Sequence, residues 1–142
     1  MAKTHGVRWW KKKACDKFSI FIRLRDALKT TGRSDFLVCC SCGKTYPAFG
    51  KGCAQAGHFV PGRKNAILFD ERNVHGQCYN CNVNLKGNWP GYMEFMLKTY
   101  GHEVVDELLR LNKTVRKYGT VELEEMRDSY KQKVKELRRT NA

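Results

Sequence analysis

Two Cys-x-x-Cys pairs are the feature of this chain whose residue types and spacing most clearly predict chemistry. Cys39 and Cys42 form one pair, and Cys78 and Cys81 form the other. Four thiolates at this spacing predict a closed, tetrahedral and therefore structural zinc site. The 35 residues between the pairs predict a substantial insert between two zinc knuckles. Cys40 stays open as a replacement for Cys39, although the two-residue spacer of Cys39 and Cys42 fits a knuckle better.

The chain has seven cysteines, which is an odd number. Cysteines in Cys-x-x-Cys pairs indicate metal binding in a reducing cytoplasm rather than a secreted disulfide framework. The cysteines outside the preferred pairs are interpreted as small buried or free thiols, namely Cys15, Cys40 and Cys53.

A histidine between the cysteine pairs, His58, is the candidate general base. Hydrolysis of a phosphodiester by water requires a group that accepts a proton near neutral pH, and imidazole does so. The reaction also needs a divalent ion, Mg²⁺ or Mn²⁺, to stabilise charge on the phosphate and on the leaving oxygen. A histidine taken alone is more often a hydrogen-bonded structural residue, so this assignment depends on the neighbours of His58.

Lysine and arginine total 27 against 14 acidic residues, which gives a formal net charge of +13. Such an excess favours a polyanionic partner, because neutralising phosphates releases condensed counterions. Charge alone fits DNA, RNA or the role of a basic ribosome-associated protein. No apolar run is long enough to span a bilayer and no signal peptide is recognised, so a membrane partner is not expected.

Three features of the sequence resemble the HNH or ββα-metal nucleases. They are the segment from Gly57 to Pro61, Asn73 further along the chain, and Asn82 directly after the last cysteine. Fourteen residues separate His58 from Asn73 and eight separate Asn73 from Asn82, which suits that pattern. The resemblance implies that His58 is the base and that Asn73 orients it by binding backbone across a hairpin loop. It also implies that Asn82 binds the catalytic metal from a helix.

A wider stretch resembles phage recombination proteins of the NinG and Rap type. It runs from Cys39 through residues 55–59 and 69–78 to Asn82, and continues to residues 100–105. The position of Asn82 is also similar to that in phage endonuclease VII, which resolves branched DNA. This resemblance covers roughly two thirds of the chain and implies recombination of DNA as the process.

The nuclease family places Asp or His directly before the base as a second metal ligand, and this chain has Gly57 there. On a regular strand Gln55 and Gly57 share a face, so the carbonyl oxygen of Gln55 is the first choice for that ligand. Other residues stay open as ligands, with ordinary surface or structural roles as the alternative: Asp70, Glu71, His75, Glu94, Glu103 and Asp106.

The predicted helices and strands that position these residues make an α+β fold. It consists of a small ββα-metal core pinned by zinc, with helices on either side. An N-terminal helix over 14–31 presents Arg23, Arg25 and Lys29 outward. A strand over 36–38 leads into the first knuckle, and strands over 56–60 and 66–69 form a hairpin. A helix then starts near the second knuckle, carries Asn82 and ends before Gly87.

The last third of the chain is predicted to be helical. One helix begins at Pro90, a second follows Gly101, and a third is capped by Thr120. The predicted parts are an arm and helix over 1–35, the nuclease core over 36–90 and the C-terminal helices over 91–142.

Basic residues near the candidate base are interpreted as phosphate contacts, with solvated surface charge as the alternative. This set comprises Arg63, Lys64, Arg72 and Lys86, with His75 in a structural or phosphate-contacting role. Residues 1–13 predict a flexible DNA-contacting arm that carries Lys11, Lys12 and Lys13. Its tryptophans, Trp9 and Trp10, either stack on the nucleic acid or pack on the core.

Residues and resemblance together predict a Mg²⁺-dependent, structure-specific DNA endonuclease that cuts branched intermediates such as a Holliday junction. Two symmetric cuts imply a homodimer, with the C-terminal helices as the expected interface. The phage resemblance implies the cytoplasm of a bacterial host. The alternatives are a non-catalytic zinc module that binds DNA or RNA, an HNH nickase of other specificity, and a zinc-stabilised adaptor for recombination proteins.

Overall fold

The computed structural model of the chain describes residues 4–141. Its longest helix, α1, spans Val7–Thr31 and ends at Gly32. Gly32 adopts the left-handed conformation with φ 73°, and its N–H donates to the carbonyl of Leu28 at 3.0 Å. Because glycine has no Cβ, it takes this conformation at little steric cost, so the predicted end of the helix is confirmed.

The predicted flexible arm is helical from Val7 onward, so that prediction was wrong for residues 7–13, while residues 1–3 lie outside the described part of the chain. Trp10 packs against the main core, where Arg127 lies 4.9 Å from the centre of its ring. Trp9 stacks on His5 with ring centroids 3.7 Å apart. This packing extends the helix, and the three lysines at positions 11–13 are presented by α1 rather than by an arm.

The first hairpin carries the first cysteine pair. β1 (Phe36–Val38) pairs antiparallel with β2 (Thr45–Pro47), and residues 39–44 form the turn between them. The Cys39 N–H donates to the carbonyl of Lys44 at 2.8 Å, and the Gly43 N–H donates to the carbonyl of Cys39 at 2.9 Å. The predicted strand followed by a knuckle is therefore confirmed.

The second hairpin differs from the prediction in its second strand. β3 (Gln55–His58) pairs antiparallel with β4 (Val74–Gln77), whereas the run 66–69 contributes to a short helix, α2 (Asn65–Leu68). Ile67 belongs to the core cluster around Phe59, and Leu68 belongs to the cluster around Phe18. A short apolar run does not distinguish strand from helix by periodicity, and one helical turn serves both clusters here.

Helices form the remainder of the chain, as predicted. A π-helical turn spans Asn80–Asn84, and α3 (Trp89–Thr99), α4 (His102–Leu111) and α5 (Thr120–Thr140) follow. The cap of α5 is Gly119 rather than Thr120. Among residues 4–141, none of the helices has the length and apolar character that crossing a membrane requires.

The two larger apolar cores among residues 4–141 hold most of these elements together. Phe18 and Phe21 of α1 pack with Tyr130 and Val134 of α5, and the ring centroids of Phe18 and Tyr130 are 4.9 Å apart. The second core joins residues near the hairpin to α3 and α4, and it contains Phe59, Val60, Tyr92, Met96 and Leu108. The β3–β4 hairpin is thereby held between α1 with α5 on one side and α3 with α4 on the other.

Polar contacts fix α1 against β4. Arg25 is turned inward and donates to the carbonyls of Glu71 and Val74, both at 2.8 Å, so its predicted outward orientation was wrong. Asp26 is buried and accepts the Gly76 N–H at 2.7 Å. The bonds to Val74 and Gly76 satisfy backbone groups on the buried strand, as the burial of polar groups requires, and the bond to Glu71 satisfies the loop before it.

Candidate functional site

The four cysteines of the two pairs converge on one point. The Sγ atoms of Cys39, Cys42, Cys78 and Cys81 all lie within 4.8 Å of one another. The knuckle after β1 delivers the first pair, and the end of β4 with the turn after it delivers the second. Four thiolates gathered in this way fit the tetrahedral coordination of zinc, so the cluster is suited to hold one structural metal ion.

Donor groups point at these sulfur atoms. The Cys78 N–H donates to Sγ of Cys39 at 3.3 Å, the Cys81 N–H donates to Sγ of Cys78 at 3.4 Å, and Nδ2 of Asn88 donates to Sγ of Cys81 at 3.3 Å. Such bonds orient thiolate ligands and stabilise their charge. Cys40 lies outside the cluster, and burial raises the pKa of its thiol, so the alternative with Cys40 as a ligand is wrong.

Gln77 joins the cysteine cluster to the β3–β4 hairpin. Its side chain is fully buried, and Nε2 donates to Oγ of Ser41 at 2.8 Å and to the carbonyl of Gly87 at 2.6 Å. Its Oε1 has no partner among the described residues and lies against Gly57, where an added Cβ would approach it to 2.0 Å. The space into which a side chain at position 57 would grow is therefore filled by Gln77.

His58 lies at the end of β3, where its Nε2 is hydrogen-bonded to the carbonyl of Leu68 at 3.2 Å. A carbonyl oxygen can only accept, so Nε2 carries the proton and Nδ1 of the neutral ring is unprotonated. Burial and the positive charge of Arg63 lower the pKa of His58 to about 4, against the opposing effect of the Leu68 bond. His58 is therefore neutral at pH 7, and its Nδ1 can accept a proton.

Asn73 fixes the backbone that follows His58. It is fully buried in the loop before β4, and its Oδ1 accepts the Val60 N–H at 2.9 Å. Its own carbonyl accepts the Phe59 N–H at 2.7 Å. This is the contact across the hairpin loop that the family resemblance implied for Asn73.

Three of the residues predicted to act together line one pocket of about 290 Å³ between α1 and the hairpin, namely His58, Asn82 and Gln55. Nδ2 of Asn82 donates to Oε1 of Gln55 at 2.6 Å, so the two amides predicted to bind the catalytic metal are in direct contact. In residues 4–141 no donor is bonded to Oδ1 of Asn82. Amide oxygens are hard ligands, which suits Mg²⁺ or Mn²⁺ rather than zinc.

Asp16 of α1 also lines this pocket and was missed by the sequence reasoning. Among the residues that the structure describes, it is the one carboxylate that lines the pocket, and it accepts from Nζ of Lys12 at 3.4 Å. Its only signal in the sequence was that it is the single acidic residue among the first 25 positions. No motif spacing connects an N-terminal helix to a hairpin this far along the chain, so tertiary packing alone brings Asp16 to His58.

A second pocket of about 250 Å³ adjoins the first and shares His58, Arg63 and Asn82 with it. Lys86 lines this second pocket. Nη2 of Arg63 donates to Sγ of Cys15 at 3.5 Å, which holds the guanidinium beside the histidine. Arg63 and Lys86 thus place positive charge next to the candidate base, where a phosphate would be attracted.

The other predicted phosphate contacts differ in how accessible they are. Lys64 is exposed directly before α2, beside Arg63. Arg72 is engaged by two carboxylates, with Asp70 at 2.9 Å and Glu107 at 2.8 Å, so less of its charge is available to a phosphate.

The assignment of His75 to the phosphate-contacting set is corrected by its burial, because only 3% of the residue is exposed. Tyr92 donates its hydroxyl to the carbonyl of Gly57 at 2.6 Å, so its oxygen accepts from Nδ1 of His75 at 3.1 Å. Nε2 of His75 then accepts the hydroxyl of Tyr100 at 2.8 Å. Burial lowers the pKa of His75 well below its usual range, and the neutral ring supports the strand that carries His58.

The acids that remained open as metal ligands lie elsewhere. Asp70 is paired with Arg72, and Glu71 is paired with Lys133. Three further acids line neither of the two pockets around His58: Glu94, Glu103 and Asp106.

Comparison with known proteins identifies the family. A family model described as Bacteriophage Lambda NinG protein matches residues 2–140. Protein ninG of Salmonella phage P22 is 34% identical over 131 residues, which cover 92% of this chain and 58% of that protein. Protein ninG of Escherichia phage 933W is 32% identical over 135 residues, which cover 94% of this chain and 61% of that protein.

Protein ninG of Escherichia phage lambda is 31% identical over 135 residues, 94% of this chain and 60% of that protein. The chain therefore spans between 58% and 61% of the length of these curated relatives. No solved structure matches. Because the family model covers almost every residue, this chain belongs to the NinG family of phage proteins.

Proposed function

We propose that this protein is a metal-dependent DNA endonuclease. The observation that carries the proposal is that His58, whose Nε2 is bonded to the carbonyl of Leu68, lines the same pocket as the amides of Asn82 and Gln55. A base, oxygen ligands for a divalent ion and adjacent positive charge are the groups that phosphodiester hydrolysis requires. The formal net charge of +13 supports a polyanionic substrate.

In the proposed reaction His58 removes a proton from water at Nδ1. The water oxygen forms a new bond to phosphorus while the bond from phosphorus to the 3′ oxygen breaks, and a solvent proton completes the leaving hydroxyl. Arg63 holds the phosphate through its guanidinium. Because Arg63 contributes to the low pKa of His58, a bound phosphate that offsets this charge would raise the pKa of the base towards neutrality.

Oδ1 of Asn82 and Oε1 of Gln55 are the oxygen atoms that would hold Mg²⁺ or Mn²⁺. An ion at that place would supply positive charge to the phosphate and to the leaving oxygen. Asn73 fixes the backbone after His58, and the cysteine cluster fixes the turn that carries Asn82 next to β3. In this proposal His58 and Asn82 touch the substrate or the ion, and Asn73 and the cysteine cluster position them without touching it.

Branched DNA as the substrate and a homodimer as the active form are further parts of this proposal, and they rest on the resemblance to phage recombination nucleases. A four-way junction is symmetric and requires two cuts, which two copies of one chain related by a twofold axis can deliver. The C-terminal helices are the proposed interface between the copies, and the cytoplasm of the phage host is the proposed location.

Cleavage of a labelled four-way junction, beside a linear duplex of matched sequence, tests the proposal. The wild type and His58→Ala would be compared in Mg²⁺ and in EDTA, with His102→Ala as the control because His102 is exposed at the start of α4. We expect Mg²⁺-dependent cutting of the junction that is lost in His58→Ala and kept in His102→Ala. Cutting by a folded, zinc-loaded His58→Ala protein would refute the role of His58.

A non-catalytic zinc module that binds DNA or RNA is the second candidate function. The lack of an acidic side chain on β3 favours it, since position 57 is glycine and Gln55 is already bonded to Asn82. This candidate predicts salt-dependent binding without cutting in either Mg²⁺ or Mn²⁺. The same cleavage assay therefore separates the two functions.

A further inference from the structure

We propose that Asp16 supplies the carboxylate ligand of a divalent-cation site that Asn82 and Gln55 complete. The proposal rests on the proposed function, because the same pocket is involved, and it assigns the ligand that the sequence pattern lacks. α1 and β3 form the two walls of this pocket, with Asp16 and Ser19 on the helix and Gln55 and His58 on the strand.

A carboxylate is needed because the amides provide oxygen atoms without charge. Proteins hold Mg²⁺ through one or two carboxylates together with water and substrate oxygens. Arg63 and Lys86 lie around the same histidine and would repel a cation. Asn82 and Gln55 alone therefore make a weak site for a divalent ion, and one negative charge in the pocket changes that balance.

β3 has no room for such a carboxylate at position 57. A Cβ on Gly57 would lie 2.0 Å from Oε1 of Gln77 and 3.0 Å from its Cβ and Cδ. Gln77 is fully buried and bonded on both sides through Nε2, so it cannot swing away into solvent. The acidic ligand must then come from another element, and α1 is the element that faces the pocket.

Asp16 is available to bind an ion. Its partner is Lys12 at 3.4 Å, and the two side chains are 52% and 72% exposed, respectively. Exposed pairs of this kind contribute little, so a divalent ion competes readily with the lysine. Ser19, one helical turn further along, lines the same pocket and adds a neutral oxygen on the same face of α1.

Binding of Mn²⁺ to the zinc-loaded chain tests this assignment without reference to activity. Free Mn²⁺ is followed by electron paramagnetic resonance during titration of the wild type, Asp16→Asn and Asp35→Asn. Asp35 is a matched control, because its side chain is also 52% exposed, it is paired with a basic neighbour, and it lines neither pocket around His58. Each variant loses one negative charge.

We expect Asp16→Asn to weaken Mn²⁺ binding by about tenfold or more, since even residues behind metal ligands cost 10–100-fold when changed. Asp35→Asn should change it by less than about twofold, because Asp35 lines neither pocket around His58 and salt screens the field of an exposed charge. Paramagnetic broadening of the Ser19, Ala56 and Asn82 amide signals should occur in the wild type and be absent in Asp16→Asn at the same Mn²⁺ concentration. Retained circular dichroism and zinc content exclude unfolding as the cause.

The two proposals fail in different ways. Wild-type Mn²⁺ affinity in Asp16→Asn overturns the role of Asp16, whatever the cleavage assay shows. Mn²⁺ binding that depends on Asp16 in a chain that cuts no DNA keeps the ion site and overturns the nuclease. Cutting by Asp16→Asn with an unchanged Mg²⁺ dependence keeps the nuclease and overturns Asp16 as its ligand.

Discussion

Adding a single methyl group at Gly57 is the most direct test of how the site is built. The Cβ of Gly57→Ala would lie 2.0 Å from Oε1 of Gln77 and 3.0 Å from two of its carbon atoms. The neighbour is the end of a side chain, which in solvent would simply move. Here the side chain is fully buried and its Nε2 donates to Ser41 and Gly87, so movement breaks both bonds.

The expected cost follows from three contributions. Overpacking of a buried site costs about 1–3 kcal/mol, and each lost hydrogen bond of Nε2 costs about 1 kcal/mol. Replacing glycine by alanine in a compatible backbone returns about 0.5–1 kcal/mol through the unfolded chain. The clash outweighs this gain, and Gly57→Ala should lower the free energy of unfolding by about 2–4 kcal/mol.

Urea denaturation at constant free zinc, followed by circular dichroism, would measure this loss. Gly119→Ala is the control, because its φ of −91° suits alanine and no atom lies within 4 Å of its added Cβ. In a Gln77→Ala background the cost of Gly57→Ala should fall below about 1 kcal/mol, since the clashing amide is gone. An equal cost in both backgrounds, or no cost in the wild type, would refute the filled space at position 57.

Two further predictions concern the zinc site and the base. Cys78→Ser should abolish the binding of one zinc ion per chain and lower the midpoint temperature of unfolding, whereas Cys40→Ser should retain zinc. Metal analysis measures the zinc content and thermal unfolding measures the midpoint. Loss of zinc in Cys40→Ser would contradict the assigned ligands. The pKa of His58 measured by NMR should be about 4, and it should rise in Arg63→Gln. Because the unfolded value is about 6.5, the free energy of unfolding should fall as pH drops from about 6.5 to about 4; an ordinary pKa in the folded chain would refute the burial argument.

Local patterns predicted the longer helices of the fold and missed what depends on distant contacts. α3, α4 and α5 follow from apolar spacing near 3.6 residues, which one helix face requires regardless of its partner. β4 has the sequence Val-His-Gly-Gln and is buried along its whole length, so it shows no alternation of polar and apolar residues. Its pairing partner is β3, and Arg25 and Asp26 of α1 bond the backbone of Val74 and Gly76.

The candidate site likewise contains residues that local sequence patterns predicted and residues that only distant packing brings there. The cysteines were identifiable because metal geometry imposes short, regular spacings. His58 and Asn82 were predicted from the resemblance to a family motif, which is short because both residues belong to one continuous hairpin and turn. Asp16 belongs to an element whose position depends on packing against α5 and β4, and sequence spacing carries no record of that packing. The phosphate-contacting role of His75 was wrong because the sequence does not show whether a histidine near a zinc knuckle faces solvent or packs against two tyrosines.

The residues that fix the backbone around His58 and the residues that would bind the ion are held by interactions of different strength. Tyr92 and Asn73 fix the backbone on either side of His58 through buried bonds at 2.6 Å and 2.9 Å. In front, Asp16 is held by one exposed lysine and Asn82 by one amide. An ion or a phosphate can therefore rearrange Asp16 and Asn82 while His58 stays in place. The rigid base keeps the orientation of the proton acceptor, whereas ordering the adjustable ligands uses part of the free energy of binding.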